Sequence, residues 1–329
     1  MENTANMDAL ADVLKAIRLS ANTYFCSDFS APWGMEIEAS QQGMFHIVVE
    51  NSCWLQHVKE EGPPLQLLTG DIVAFPTGGA HWISDTPESP RQPGSDVVKN
   101  ILNGSNPFQP KEEDNSIENI SVIKTSTRKK SPATTLLCGS FSYDSSMDHP
   151  FVKDLPCFIH IKASETPELA WLRSLVTVLA NESRLPSPGS TVMVDRLTEV
   201  LFIQLMRTYM TSSSSDVGYI AALADVQIGS ALNLIHSETK AYWNVERLGE
   251  AVSLSRTSFT EKFSRMVGMP PKTYLINWRM QKAKVQLQQT DTAMIDIAET
   301  AGYSSEAAFS KAFKHYYNHP PGQARRHSL

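Results

Sequence analysis

The chain has 329 residues, with 29 basic and 35 acidic side chains for a formal charge of −6, and 41% of its residues are hydrophobic. That balance is ordinary for a globular protein and excludes a collagen, a disordered tail or a small disulfide scaffold; at roughly 150 residues per domain it predicts about two domains with cores of their own. The charge is unevenly divided: residues 231–329 carry 13 basic against eight acidic side chains, a net +5, and residues 1–230 a net −11. A basic end on an acidic chain points to a portion that faces nucleic acid.

In chain order, Leu10, Val13, Leu14 and Ile17 fall at helical spacing, while Asp8, Asp12, Lys15 and Arg18 interrupt any apolar run. The stretch is an amphipathic helix and no signal-peptide core. Nowhere do about 18 apolar residues follow one another, so no membrane-spanning helix is expected. The four cysteines (Cys26, Cys53, Cys138, Cys157) stand far apart without metal-ligand spacing. Reduced thiols in a cytoplasmic protein, with no metal or cofactor, are the expectation.

Short runs rich in β-branched and aromatic residues follow at 35–37, 45–50, 53–57, 65–68, 72–75, 81–83 and 134–143, punctuated by Gly and Pro. They predict a sandwich or barrel. Polar, Pro- and Gly-bearing text from Pro87 to Pro132 reads as a long, partly mobile insertion between strands. After Pro167 the periodicity becomes helical, with Leu169, Leu172, Leu175, Val176 and Leu179, then Leu197, Val200, Leu201, Leu205 and Met206. These helices either pack on the barrel or pair two copies of the chain. A serine run at 211–215 closes this part, and from Tyr219 onward the pattern is helical.

The last third repeats itself at an offset of 50 residues: Ser255, Phe259, Phe263, Gly268, Pro270 and Pro271 return as Ser305, Phe309, Phe313, Asn318, Pro320 and Pro321. The same physics operates in both copies. Ser caps a helix, two Phe one turn apart face its core, Gly or Asn provides a left-handed stop, and Pro-Pro blocks continuation. A shorter helix precedes each, capped by Asn244 in the first copy and by Asp291 or Thr292 in the second, where it stops at Gly302. Short helix, tight turn and capped helix make a helix-turn-helix. Residues 271–289 form a connecting rod of roughly 27 Å at about 1.5 Å per residue, suited to hold two reading heads about one DNA turn apart.

Ser255 to Gly268, the connecting helix, and IAETAGYSSEAAFSKAFKHYYNHPPGQAR together resemble the DNA-binding domain of the AraC/XylS family of transcriptional regulators. With Phe259 and Phe263 inward, the groove side of the first recognition helix is Arg256, Thr257, Thr260 and Glu261; in the second, Glu306, Ala307, Ser310 and Lys311 hold those places. Arg256 can fork onto guanine, the threonines can meet a thymine methyl, and Glu261 or Glu306 can accept from cytosine. Arg265, Arg279, Lys282, Lys284, Lys314 and Arg325 are expected as phosphate contacts or solvated cations.

Upstream, Gly70, Pro76, Gly78, His81 and Asp85 resemble the second motif of the cupin barrel, with Asp in place of the usual Asn. The first motif's His-x-His is absent; His46 and His57 stand in that region. His81 and His46 are therefore expected to pack in the barrel or line a ligand site. Residues 7–20, Tyr24 to Asp28, Leu137 to Phe141 and Leu185 to Gly189 resemble a subgroup of cupin-type AraC regulators that includes a reactive-chlorine-responsive activator. That resemblance implies oxidant sensing at Cys26, with Cys138 as a resolving partner.

The sequence thus reads as an α+β multidomain protein: an N-terminal cupin-like β-barrel with flanking helices and a C-terminal all-α domain with two helix-turn-helix motifs. The expected division is a sensor domain at 1–165 with its insertion at 87–132, helices for linking or dimerisation at 166–218, and the DNA-binding domain at 219–329. The expected function is a cytoplasmic, non-enzymatic transcriptional regulator, an activator, controlled by a small ligand or by cysteine oxidation. Its expected partners are promoter DNA, RNA polymerase and a second copy of the chain, with no membrane. The alternative is a cupin metalloenzyme with an accessory DNA-binding domain.

Overall fold

Residues 8–58, 62–109, 133–143, 149–164, 170–185, 187–212, 217–237 and 243–326 are described by the computed structural model of the chain. They fall into two units, one of Leu19–Tyr143 and Pro156–Tyr209, the other of Met1–Arg18, Asp144–Leu155 and Met210–Leu329. This division differs from the expected 1–165, 166–218 and 219–329. The N-terminal helix α1 (Ala9–Ala16) groups with the C-terminal helices, and the supposed linker helices group with the strands. The reason is packing: the apolar stripe of α1 (Leu10, Val13, Leu14) is buried, and its first amide, Ala9 N, donates to Asn233 Oδ1 at 2.7 Å.

Among the described residues the first unit is a sandwich of ten strands: β1 (Ser20–Phe29), β2 (Gly34–Ile37), β3 (Gly43–Glu50), β4 (Ser52–His57), β5 (Leu65–Leu68), β6 (Ile72–Phe75), β7 (His81–Ser84), β8 (Gln92–Pro93), β9 (Thr134–Ser142) and β10 (Ile159–Ile161). The sheets run β1-β9-β3-β6-β10 and β5-β4-β7-β2-β8. Phe25, Phe29, Trp33, Met35, Val48, Leu55, Phe75 and Leu136 form the core between them. Gly139 leaves room for its neighbours on β1 and β3, since a Cβ there would lie 2.3 Å from Asn22 O and 2.5 Å from the Phe45 ring. At the cupin-like corner Gly78 has φ +70°, and a Cβ on it would meet Ser40 O at 2.2 Å, so only glycine fits that turn. Asp85 accepts from Trp33 N at 3.0 Å, which ties β7's exit to the entry of β2.

The supposed insertion at 87–132 is ordered over its first part. β8 pairs with β2 in parallel, the helix α2 (Gly94–Leu102) follows, and Val97 and Phe108 enter the core; residues 110–132 lie outside the described residues. After the short helix α3 (Pro150–Lys153), which belongs to the second unit, α4 (Ala170–Arg184) packs on β1 and β3. In α5 (Ser190–Ser212), Phe202 meets the Phe141 ring at 4.8 Å and Thr198 bonds Thr23 at 2.9 Å. Both helices therefore bury an apolar face on the barrel.

The second unit is helical: α1 and α3, then α6 (Tyr219–Ala224), α7 (Val226–His236), α8 (Val245–Ala251), α9 (Arg256–Val267), α10 (Pro271–Gln289), α11 (Met294–Thr300), α12 (Glu306–Tyr317) and α13 (Pro321–Arg326). At its centre the Tyr274 hydroxyl lies 2.6 Å from that of Tyr219, 2.7 Å from His236 Nε2 and 3.2 Å from His149 Nε2. Burial holds the His236 imidazole well below its ordinary pKa, so it is neutral there.

Candidate reading heads and sensor cavity

Each reading head follows the local rules of its sequence. Asn244 Oδ1 accepts from Arg247 N at 2.9 Å to start α8, and Ser255 Oγ accepts from Ser258 N at 3.1 Å to start α9. Phe259 and Phe263 are fully buried, and Gly268 ends the helix at φ +79°. In the second head Ser305 Oγ accepts from Ala308 N at 3.2 Å, Phe309 and Phe313 are buried, and Asn318 takes φ +61°. One cap differs from expectation. α11 begins at Met294, which puts Ala293, with no side-chain bond, at the cap position and Asp291 and Thr292 ahead of it.

The inward phenylalanines leave Arg256, Thr257, Glu261 and Arg265 exposed on α9, and Glu306, Ala307, Lys311 and Lys314 exposed on α12, with Thr260 and Ser310 half-buried. Thr260 gives its hydroxyl proton to Arg256 O at 2.8 Å, which leaves its methyl group and the acceptor side of its hydroxyl oxygen.

Four cations of the expected phosphate-facing set are engaged inside the domain. Arg279 donates to Trp243 O at 3.2 Å, Lys282 to His236 O at 3.2 Å and Arg325 to Thr292 O at 2.5 Å, while Lys284 sits 5.0 Å from the centre of the Tyr317 ring. Tertiary contacts that one-dimensional spacing does not reveal capture these side chains. Arg279 and Lys282 are half-buried and each gives a donor to the domain itself, while Arg265 and Lys314 are exposed.

In the strand unit a cavity of about 710 Å³ is lined by Tyr24, Phe25, Met35, Ile37, Met44 and Val98 among others, and it reaches the buried pair His46 and Cys138. The hydrogen bonds there run in one direction. Gly79 O can only accept, so His81 Nδ1, 2.7 Å away, carries a proton and His81 Nε2 is bare. His46 Nε2 then donates to it at 2.7 Å, and Cys138 Sγ donates to the remaining His46 Nδ1 at 3.0 Å. Burial favours the neutral forms throughout: it lowers His81 to about 4, holds His46 well below its usual range, and raises Cys138.

Cys26 lies elsewhere. On β1 it pairs with Leu137, while its neighbour Phe25 pairs with Cys138, so alternation sends the two cysteine side chains to opposite faces of the sheet. The expected pairing of Cys138 with an oxidised Cys26 would require these side chains to leave the faces they take in this sheet. Burial raises the Cys26 thiol, and the neighbouring Arg184 guanidinium opposes that shift.

A cupin metal does not fit these residues. The His46 and His81 nitrogens that would face it bond each other, the second His46 nitrogen is occupied by Cys138, and no group of three or more His, Cys, Asp or Glu able to hold a metal occurs among the described residues. Of the cavity wall, the strand at 35–37 is expected from its sequence, whereas α2 falls in the stretch expected to be an insertion.

A family model described as Cupin matches residues 8–211, and one described as Helix-turn-helix domain matches residues 248–327. The HTH-type transcriptional regulator AlkR of Acinetobacter baylyi is 28% identical over 325 residues, covering 98% of this chain and 100% of its own. An uncharacterized HTH-type transcriptional regulator of Haemophilus influenzae is 26% identical over 329 residues, covering 97% of this chain and 99% of its own. The RCS-specific HTH-type transcriptional activator RclR of Escherichia coli is 26% identical over 194 residues, covering 59% of this chain and 68% of its own. No helix among the described residues is long and apolar enough to cross a membrane. A cupin unit joined to two capped helix-turn-helix heads, with relatives that are transcriptional regulators over almost their full length, places this chain in the AraC family of DNA-binding transcriptional regulators with an N-terminal cupin domain, and it is not an enzyme.

Proposed function

We propose that the protein is a cytoplasmic transcriptional activator whose strand unit takes up a small, largely apolar molecule without negative charge and thereby adjusts DNA binding by α9 and α12. The observation that carries the ligand reading is the lining of the 710 Å³ cavity, which is mostly apolar and carries Glu36 and Glu38 but no lysine or arginine among the described residues. An anion would enter without a counter-charge, whereas Met35, Met44, Phe25 and Tyr24 offer soft apolar surface. Arg256, Thr257, Thr260, Glu261, Glu306, Ser310 and Lys311 read bases, and Arg265 and Lys314 meet phosphates. Activation is the role named for the Escherichia coli relative, and RNA polymerase is then the partner at the promoter. A second copy of the chain would use α5, which leaves Val192, Met193 and Val200 exposed.

Oxidation is the second reading, favoured by one observation: Cys138 lines the cavity, so a small oxidant that enters meets it. The neutral thiol, on the face of the sheet opposite Cys26, favours the ligand instead. The test is thermal unfolding of the full chain with uncharged 2-naphthol and anionic 2-naphthoate as probes, beside a Met44→Trp variant that fills the cavity. The reading expects stabilisation by naphthol alone, lost in the variant. Equal stabilisation by naphthoate defeats it, and a DNA response to hypochlorite that disappears in Cys138→Ser favours oxidation.

A further inference from the structure

The connecting helix α10 fixes a length between the two heads, but length alone leaves their relative rotation free. Arg279, near the middle of α10, touches both. Its Nη2 donates to Trp243 O at 3.2 Å, the carbonyl immediately before the Asn244 cap of the first head. On its other side the guanidinium lies against Gly302, which has φ +88° in the turn between α11 and α12. A Cβ on Gly302 would be 2.9 Å from Arg279 Nη1 and 3.4 Å from Cζ. The guanidinium therefore occupies the place of the side chain this turn lacks. A groove of about 540 Å³ opens beside it, walled by Trp243, Asn244 and Arg256 from the first head and by Ala301, Gly302 and Tyr303 from the second.

We propose that Arg279 is a positioning residue that sets the distance and rotational phase between the two reading heads, and so the spacing between the two half-sites that the protein accepts. It reads no base and holds no phosphate. Its planar fork, donating to one head while its flat body fills the turn of the other, is a shape that a lysine ammonium cannot reproduce. Spacing is sensitive to such a strut because one inserted base pair moves a half-site by about 3.4 Å along the axis and rotates it by roughly a tenth of a turn.

The test selects binding sites from a pool of random-sequence duplexes with the full chain, using wild type, Arg279→Lys and Arg279→Gln, and measures the affinity of each for the wild-type site at several salt concentrations. The expected result is two short motifs at one spacing for wild type. Both variants should recover the same two motifs with spacing spread over a base pair or more. Their affinity for the wild-type site should fall about tenfold, the scale of one mismatched pair, with the salt dependence unchanged. A phosphate contact gives a different pattern, in which Arg279→Lys behaves as wild type and Arg279→Gln loses about one unit of salt slope; that result overturns the proposal. So does a single wild-type spacing in both variants. If Arg279→Gln does not fold, Arg279→Lys is compared with Gly302→Ala, which displaces the guanidinium without removing it; one unchanged spacing in either overturns the assignment.

Discussion

The two reading heads share a scaffold and differ almost everywhere that DNA would meet them. Both have a serine cap, two buried phenylalanines and a left-handed stop. The exposed first turns carry Arg256, Thr257 and Glu261 in one and Glu306, Ala307 and Lys311 in the other. Their support differs too. The first head rests through Phe263 on Tyr274, at 5.6 Å between rings, and so on the buried Tyr219–His236–His149 cluster. The second rests on a separate apolar cluster of Met280, Leu287, Ile297, Phe309 and Phe313. A repeat of this kind keeps what folds and frees what reads: the core positions match between the copies and the groove positions do not.

The largest effect that distinguishes the heads lies in those supports. Phe263→Ala and Phe313→Ala each delete a fully buried ring and should cost about 3–5 kcal/mol. Phe263 should stand at the upper end, since its loss also opens the Tyr274 cluster. Hydrogen exchange of the full chain measures both: protection should fall in α8 and α9 for the first variant and in α11 and α12 for the second. Loss of protection across both heads in either variant would mean that they unfold as one body.

A smaller effect separates their reading surfaces. Arg256→Ala removes the one exposed arginine in the first turn of either recognition helix and should cost about 1–3 kcal/mol in binding a selected duplex, with relaxed preference at one base. Glu306→Ala and Lys311→Ala should each cost less, because the second helix places two alanines, Ala307 and Ala308, in its first turn. Competition between the selected duplex and its single-base variants ranks the three. An equal loss from Lys311→Ala would show that the second head reads as strongly as the first.

How much of this was legible follows the range of the forces. Caps, paired phenylalanines and stops act within a turn or two of helix, so both heads and the rod between them could be read from spacing. What escaped depends on distant partners. Arg279 and Lys282 have the spacing of a basic face, yet Trp243 O and His236 O hold them. β1 mixes strand-favouring Thr23, Tyr24, Phe25 and Phe29 with Ser20, Asn22, Ser27 and Asp28, which are not, and carries a register shift between Thr23 and Phe25; its pairing with β9 makes it a strand. Without that register the opposed faces of Cys26 and Cys138 could not be known. α2 follows Pro93 with no side-chain cap, and the burial of Val97 is what secures it.

The smallest difference between the heads is the stop residue, and it can be exchanged. Gly268 at φ +79° has nothing within 4 Å of where its Cβ would be, so Gly268→Asn meets no clash and bears only the left-handed backbone penalty. Asn318 at φ +61° already bears that penalty, and Asn318→Gly relieves it while loosening the unfolded chain. The two substitutions should therefore shift stability in opposite directions, each by about 1 kcal/mol or less. The double exchange should return close to wild type, because the stops lie in separately supported heads and distant sites add. Thermal unfolding of the four chains closes this cycle. A double variant displaced from wild type by more than the two single shifts combined would mean that the heads are energetically coupled through α10.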